Sequence, residues 1–184
     1  MRIRHHASLG LAATACLVLS GCTNAADWNA NRSSQIHSFD TSSIQAQPDI
    51  IAKLPQGALE DGVLDVAAST DYAPAEFLDP SGTAVGYDVD LTNAIAAVLG
   101  VKGKVHTAEF DSIIASIGSK YDAGISSFTV TPERTAEVDM TAYINVGSRF
   151  NVQAGNPKGV ETSDHLKLCG RTIGVQVGTA QETT

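Results

Sequence analysis

The stretch SSFTVTPER, residues 126–134, carries hydroxyls at Ser127, Thr129 and Thr131 on every second position, followed by Arg134. Threonine followed by proline is typical of a helix start, with the threonine as cap and the proline in the first turn. The free N–H groups of that turn, the hydroxyls and the guanidinium can converge on one anion, and arginine's planar fork matches a carboxylate. The pattern therefore predicts a carboxylate pocket.

Spacing alone leaves an alternative open for this stretch. A capped surface helix, with Arg134 paired to Glu133 or Glu137 in solvent, would have the same sequence. The two interpretations differ in whether the guanidinium faces inward.

The elements that must position these residues alternate along the chain, which predicts βαβ units and a mostly parallel sheet in an α/β protein. Apolar runs and helical spacing give a short helix in 48–55, strands at 63–68, 104–109 and 122–127, and helices at 91–100 and 111–120. Two further strands are predicted at 148–155 and 172–177, and Gly178-Thr179-Ala180-Gln181 after the last one is a second candidate anion site.

Other chemistries find little support in the sequence. Asp88 and Asp90 resemble an Asp-x-Asp metal motif, but an aspartate just before a helix is better explained as its N-cap. His106 lies within a predicted strand and is interpreted as structural, and we expect no metal and no cofactor. The net charge of −8 argues against a nucleic-acid partner.

The N-terminus has the layout of an export signal: a cationic start, an apolar run and a small-residue cleavage site, assigned to residues 1–21. Leu19-Ser20-Gly21-Cys22 resembles a bacterial lipobox, which implies lipidation of Cys22 and anchoring on the outer face of the cell membrane. The polar residues 22–47 are predicted to form a flexible tether.

Taken in order, GYDVDLTNAIAAVLG, FDSIIASIGSKYDAGISSFTVTPER and VQVGTAQ resemble the extracellular solute-binding proteins of polar amino acid ABC transporters. This resemblance implies a type II periplasmic-binding-protein fold, a two-lobed Venus flytrap that closes on one amino acid. Residues 48–147 would form lobe 1 and residues 148–184 the start of lobe 2. We expect a C-terminally truncated chain with lobe 1 largely present and lobe 2 incomplete, which alone binds amino acids weakly or not at all.

The resemblance also implies roles for individual residues. Arg134 would clamp the ligand carboxylate, and the second lobe would reach the same group. The other implied ligand-binding residues are Tyr72, Phe110, Ser126, Ser127, Thr129, Thr179 and Ala180. The implied partners are an amino acid and ABC permease subunits, with the protein itself a monomer and not an enzyme.

Two alternatives share this fold. One is an enzyme of the cyclohexadienyl or arogenate dehydratase kind, which would need a placed general acid in the cleft. The other is the sensory ligand-binding module of a membrane receptor, which the lipobox argues against.

Overall fold

The computed structural model describes residues 38–183, and its α-helices and β-strands all lie before residue 136. The signal segment 1–21 and Cys22 lie outside the described residues. In chain order the elements are α1 (Pro48–Ile51), β1 (Val63–Ala68), β2 (Asp71–Tyr72), β3 (Glu76–Leu78), β4 (Ala84–Val85), α2 (Tyr87–Leu99), β5 (Lys102–Thr107), α3 (Ile113–Ser116), β6 (Ala123–Gly124) and α4 (Pro132–Thr135), with 3₁₀ turns at Phe110–Ser112, His165–Leu168 and Ala180–Glu182.

A three-stranded parallel sheet confirms the α/β prediction. Its order is β5-β1-β6, so that β1 is the central strand, and the register of β1 with β5 runs from Val63 opposite Lys102 to Ala68 opposite Thr107. Pairing with β6 is limited to Ala123 and Gly124. A second, antiparallel sheet of order β2-β3-β4 was not predicted.

The hydrophobic core lies on both faces of β1. On one face Leu64 and Val66 pack with Ala96 of α2, and on the other Ala67 packs with Ile113 and Tyr121. Successive side chains of a strand point to opposite faces, so the unbroken apolar run of a central strand serves both clusters.

Helix α2 confirms the predicted helix but begins earlier, and the prediction of an aspartate N-cap is wrong. The N-cap is Gly86, whose φ of 122° is a conformation that L side chains rarely adopt. Asp88 and Asp90 lie inside the first turn, where their charge complements the positive end of the helix dipole. Gly100, with φ of 71°, ends the helix in the left-handed conformation.

The helix predicted at 111–120 is much shorter in the structure. After the 3₁₀ turn, α3 ends at Ser116, and Ile117 is already extended. The hydroxyls of Ser112, Ser116 and Ser119 each donate to a backbone carbonyl three or four residues earlier. Such bonds compete with regular helix geometry, which explains the early end.

The strands predicted at 148–155 and 172–177 are wrong for the structure as described, because neither segment has any strand pairing. Their alternating apolar side chains are instead exposed, with Phe150 at 52% and Val177 at 61%. A strand forms only where a neighbour satisfies its backbone groups, and no strand of residues 38–183 pairs with either segment. Over the same range, no helix is both long and apolar enough to cross a bilayer.

The end of the predicted tether lies against the folded part. Phe39 N donates to Asp90 Oδ2 at 2.9 Å, and Gln47 N donates to Val98 O at 2.8 Å. Both acceptors belong to α2, so the ordered structure begins before Pro48.

Candidate functional site

The candidate site lies where β6 ends at the carboxyl edge of the parallel sheet. Ile125 N still donates to Ala67 O, at 3.0 Å, and the chain then leaves the sheet as a loop that leads into α4. The Thr131 side chain accepts from Arg134 N at 3.4 Å, and Pro132 is the first helical residue, which confirms the predicted helix start. Open α/β sheets place ligands at this edge.

Arg134 turns inward. Its Nη1 donates to Thr129 O at 2.7 Å and its Nη2 donates to Gly178 O at 2.8 Å. Among the described residues it makes no salt bridge, so pairing with Glu133 or Glu137 is not observed. Partial burial lowers the pKa of Arg134 from its ordinary value, and the group remains a cation at neutral pH.

Two stacked aromatic rings support the guanidinium. Phe110 and Phe128 have ring centroids 4.5 Å apart with an interplanar angle of 28°. The Arg134 Cζ lies 5.7 Å from the Phe110 centroid and 5.2 Å from that of Phe128. Phe110 was expected at the site, whereas Phe128 was missed, although it lies inside the hydroxyl-rich stretch. The two carbonyls use two of the five guanidinium N–H donors, which leaves three for a further acceptor.

Ser126 lies below the site and faces away from it. It is 3% exposed. Ser126 Oγ donates to Glu76 Oε1 at 2.5 Å and accepts from Ser69 N at 3.0 Å. The structure therefore gives Ser126 two protein partners on the interior side of the loop.

Ser127 adopts a φ of 50°, which is unusual for a residue with a side chain. Its hydroxyl is buried beside that of Tyr143, yet makes no hydrogen bond of good geometry with the described residues. Thr129 contributes its carbonyl to Arg134. Strained backbone and a buried polar atom without a partner are features that cluster at functional sites.

The segment around Gly178 reaches the same guanidinium. Gly178 has a φ of 77°, and a Cβ added there would lie 2.8 Å from Asp111 Cβ. Gly178 therefore packs closely against the 3₁₀ turn Phe110–Ser112. Its amide N–H, predicted to face an anion, donates to the carboxylate oxygen Glu182 Oε2 at 2.8 Å. The Thr179 hydroxyl donates to Gln176 O at 2.7 Å, and Ala180 opens the last 3₁₀ turn. Thr179 and Ala180 thus lie next to the residue that contacts Arg134.

Tyr72 is more peripheral. It lies on β2 and is 56% exposed, and none of the described hydrogen bonds or ring contacts joins it to Arg134. His106, on β5, pairs with Asp65 and lies 5.3 Å from the Tyr121 ring, in keeping with its predicted structural role. No group of three His, Cys, Asp or Glu residues in the described part could hold a metal ion.

Sequence reasoning missed the two acids beneath the site, Glu76 and Asp88. Both are fully buried, and burial, together with Asp88, raises the pKa of Glu76 to about 8. No local pattern marks Glu76, which follows an ordinary Ala-Pro-Ala sequence. Asp88 had been interpreted only as part of a helix cap.

The sequence matches the family of bacterial extracellular solute-binding proteins, family 3, over residues 64–178. The chain belongs to this family, and its α/β architecture is a partial periplasmic-binding-protein fold, as the resemblance implied. The match includes every site residue described above except Thr179, Ala180 and Glu182.

Among individual proteins, the chain is similar to the arginine-binding protein ArgT of Corynebacterium glutamicum, with 31% identity over 179 residues, 96% of this chain and 56% of ArgT. It is 33% identical to the L-cystine-binding protein TcyJ of Escherichia coli over 125 residues, 67% of this chain and 46% of TcyJ. A solved ancestral arginine-binding protein bound to arginine is 42% identical, with a TM-score of 0.41, covering 42% of this chain and 35% of that one. The chain spans about half the length of the curated relatives it matches.

Proposed function

We propose that this chain carries part of the ligand site of an amino acid-binding protein that serves an ABC importer. Arg134 binds the α-carboxylate of the ligand, on a platform of Phe110 and Phe128. Arginine is the first candidate ligand, because relatives such as ArgT are named for it. Residues 48–147 would belong to one lobe and residues 148–184 to the other.

The observation that carries this proposal is the placement of one cation. The Arg134 guanidinium is held between the carbonyls of Thr129 and Gly178, which are 49 residues apart in the numbering, and it retains free N–H donors. A carboxylate bound there would receive charge-assisted hydrogen bonds from an already oriented fork. Because Gly178 precedes Thr179 and Ala180, a ligand on Arg134 would also meet this second segment.

Binding is favoured over catalysis by where the acids lie. Among the described residues, Glu76 is the carboxyl whose pKa is raised toward neutrality, as a general acid requires. It is 0% exposed, and its Oε1 is engaged by Ser126, so it does not face the loop surface where Arg134 lies. The residues at that surface are hydroxyls, aromatic rings, a guanidinium and Glu182, whose carboxylate is engaged by Gly178 N.

Export and anchoring complete the proposal. The signal segment 1–21 would direct the chain out of the cytoplasm, and a lipid on Cys22 would hold it at the outer face of the membrane. There it would act as a monomer and deliver its ligand to permease subunits.

The test is a ¹H–¹⁵N titration of the full chain with arginine, then with lysine and glutamate. Ligand should reach about 10 mM, enough to saturate a site with a Kd of about 1 mM. We expect amide shifts at Ser127, Phe128 and Thr129, which Arg134→Gln abolishes. Arg149→Gln is the matched control, because Arg149 is an exposed arginine with no described bond to the site.

Agmatine, which is arginine without its carboxylate, separates carboxylate recognition from recognition of the side chain. The proposal predicts little or no shift with agmatine. Equal shifts with arginine and agmatine, or shifts that survive Arg134→Gln, would contradict it.

A further inference from the structure

Two carboxyl groups lie in the interior without a cation. Glu76 and Asp88 are each 0% exposed, and neither takes part in a salt bridge of the described residues. Ionised carboxylates are almost never fully buried without a partner charge, because a charged group loses its favourable hydration when it leaves water. Their burial therefore needs a physical explanation.

The backbone brings the two acids together. Asp88 N donates to Ala75 O at 2.9 Å, and Tyr87 N donates to Pro74 O at 3.3 Å. The first turn of α2 is thus bonded to the residues just before β3, which begins at Glu76. Gly86 makes this approach possible, since a Cβ there would lie 2.2 Å from Ala75 O.

Each carboxyl uses one oxygen to hold a residue near the candidate site. Glu76 Oε1 accepts from the Ser126 hydroxyl, at 2.5 Å, and Asp88 Oδ2 accepts from the Tyr143 hydroxyl, at 2.8 Å. The other oxygens, Glu76 Oε2 and Asp88 Oδ1, are buried and have no hydrogen-bond partner in the described part of the chain. One proton between these two oxygens would satisfy both.

We propose that Glu76 and Asp88 share one proton, and that this carboxyl pair positions the Ser126–Thr129 loop and Tyr143. In the dominant form Glu76 is neutral, its Oε2–H donates to Asp88 Oδ1, and Asp88 carries the single negative charge. Loss of the proton to water leaves two adjacent carboxylates, whose repulsion loosens the loop. The consequence for ligand affinity rests on the proposed function, whereas the proton sharing does not.

The charges around the pair all favour retention of the proton. Burial contributes most to the raised pKa of Glu76, followed by the hydrogen bond and charge of Asp88 and then the charge of Asp71, against a lowering by the Ser126 hydrogen bond. Burial and the bond to Asp88 also raise the pKa of Tyr143, which stays neutral throughout this range. No Lys, Arg or His of the described residues forms a salt bridge with either acid.

The sign of the pH effect follows from linkage. The ordinary value for Glu76 is 4.5 and the folded value about 8, so between these values the native state binds more protons than the unfolded state. The contribution of Glu76 to stability is therefore full below about pH 4.5 and is lost as the pH rises through about 8. The unfolding equilibrium constant should rise by up to about tenfold per pH unit inside this window.

The test is urea unfolding of the full chain from pH 5.5 to 9, comparing wild type with Glu76→Gln. Glutamine places an amide N–H₂ where the shared proton lies and keeps an oxygen for Ser126. The unfolding equilibrium constant of Glu76→Gln should therefore not show the rise with pH that Glu76 causes in the wild type. Glu60→Gln, at an exposed glutamate, should keep the wild-type dependence. Equal pH dependence in wild type and Glu76→Gln would overturn the proposal.

Carbon-13 carboxyl titration of the wild type covers the case in which the variant does not fold. A Glu76 midpoint near 8 supports the shared proton, and a midpoint near the ordinary 4.5 overturns it. Arginine titration at both ends of the pH range then separates the two proposals. A Glu76 midpoint near 8 without arginine binding would support the shared proton and contradict the proposed function. Arginine binding with an ordinary Glu76 midpoint would support the proposed function and contradict the shared proton.

Discussion

Gly86 is the position where a single methyl group should do the most damage to the site. It joins β4 to α2 with φ of 122° and ψ of 173°. An added Cβ would lie 2.2 Å from Ala75 O, 2.7 Å from Ala75 C and 2.8 Å from Pro74 O, all of them backbone atoms that cannot rotate away. Gly86→Ala therefore requires α2 to move off the residues before β3.

The loss of stability expected for Gly86→Ala has two contributions. The strained backbone conformation costs about 1–3 kcal/mol for a residue with a side chain. Separation of the two segments would also break the bonds from Tyr87 N to Pro74 O and from Asp88 N to Ala75 O, at about 1 kcal/mol each. We expect a loss of about 4 kcal/mol in the free energy of unfolding, a large fraction of the stability of a small domain.

Gly82→Ala is the matched control for this prediction. Its φ of 83° is also positive, but nothing lies within 4 Å of an added Cβ. The cost should be about 1 kcal/mol, from the backbone conformation alone. Both variants can be compared by urea unfolding followed by far-ultraviolet circular dichroism. If Gly86→Ala were no less stable than Gly82→Ala, the close approach of α2 to Ala75 would not be what requires glycine.

Two further predictions concern the loop and the N-terminus. Ser127→Gly should raise the stability by about 1 kcal/mol, because glycine tolerates the φ of 50°, while weakening the binding of an amino acid; a lower melting temperature would contradict this. Cys22→Ser should release the protein from the membrane fraction of its bacterial host, with loss of the lipid mass from the mature N-terminus. Unchanged membrane association in that variant would refute lipid anchoring at Cys22.

Sequence patterns correctly predicted the parts of the fold that depend on residues close together in the sequence. The apolar run at 63–68 forms the central strand β1 because such a run fits a position buried on both faces. Thr131 caps α4 because its hydroxyl reaches an N–H three residues later, and this placed Arg134 correctly at the start of the helix. The helix end at Gly100 follows from the same kind of local signal.

Features that depend on tertiary contact could not be predicted in this way. The segments 148–155 and 172–177 have strand-like alternation, but a strand also needs a neighbour, and the sequence does not say whether one is present. The acids Glu76 and Asp88 meet only because α2 docks on the start of β3 through Gly86. The inward turn of Arg134 was one of two possibilities that its spacing allowed, and the carbonyls of Thr129 and Gly178 distinguish them.

The most direct test of Arg134 as the carboxylate-binding residue is a crystal structure of the protein with the amino acid that gives the largest shifts in the titration. We expect the ligand α-carboxylate within about 3 Å of the Arg134 guanidinium nitrogens, above Phe110 and Phe128. A ligand bound elsewhere, with Arg134 still bonded only to Thr129 O and Gly178 O, would contradict it.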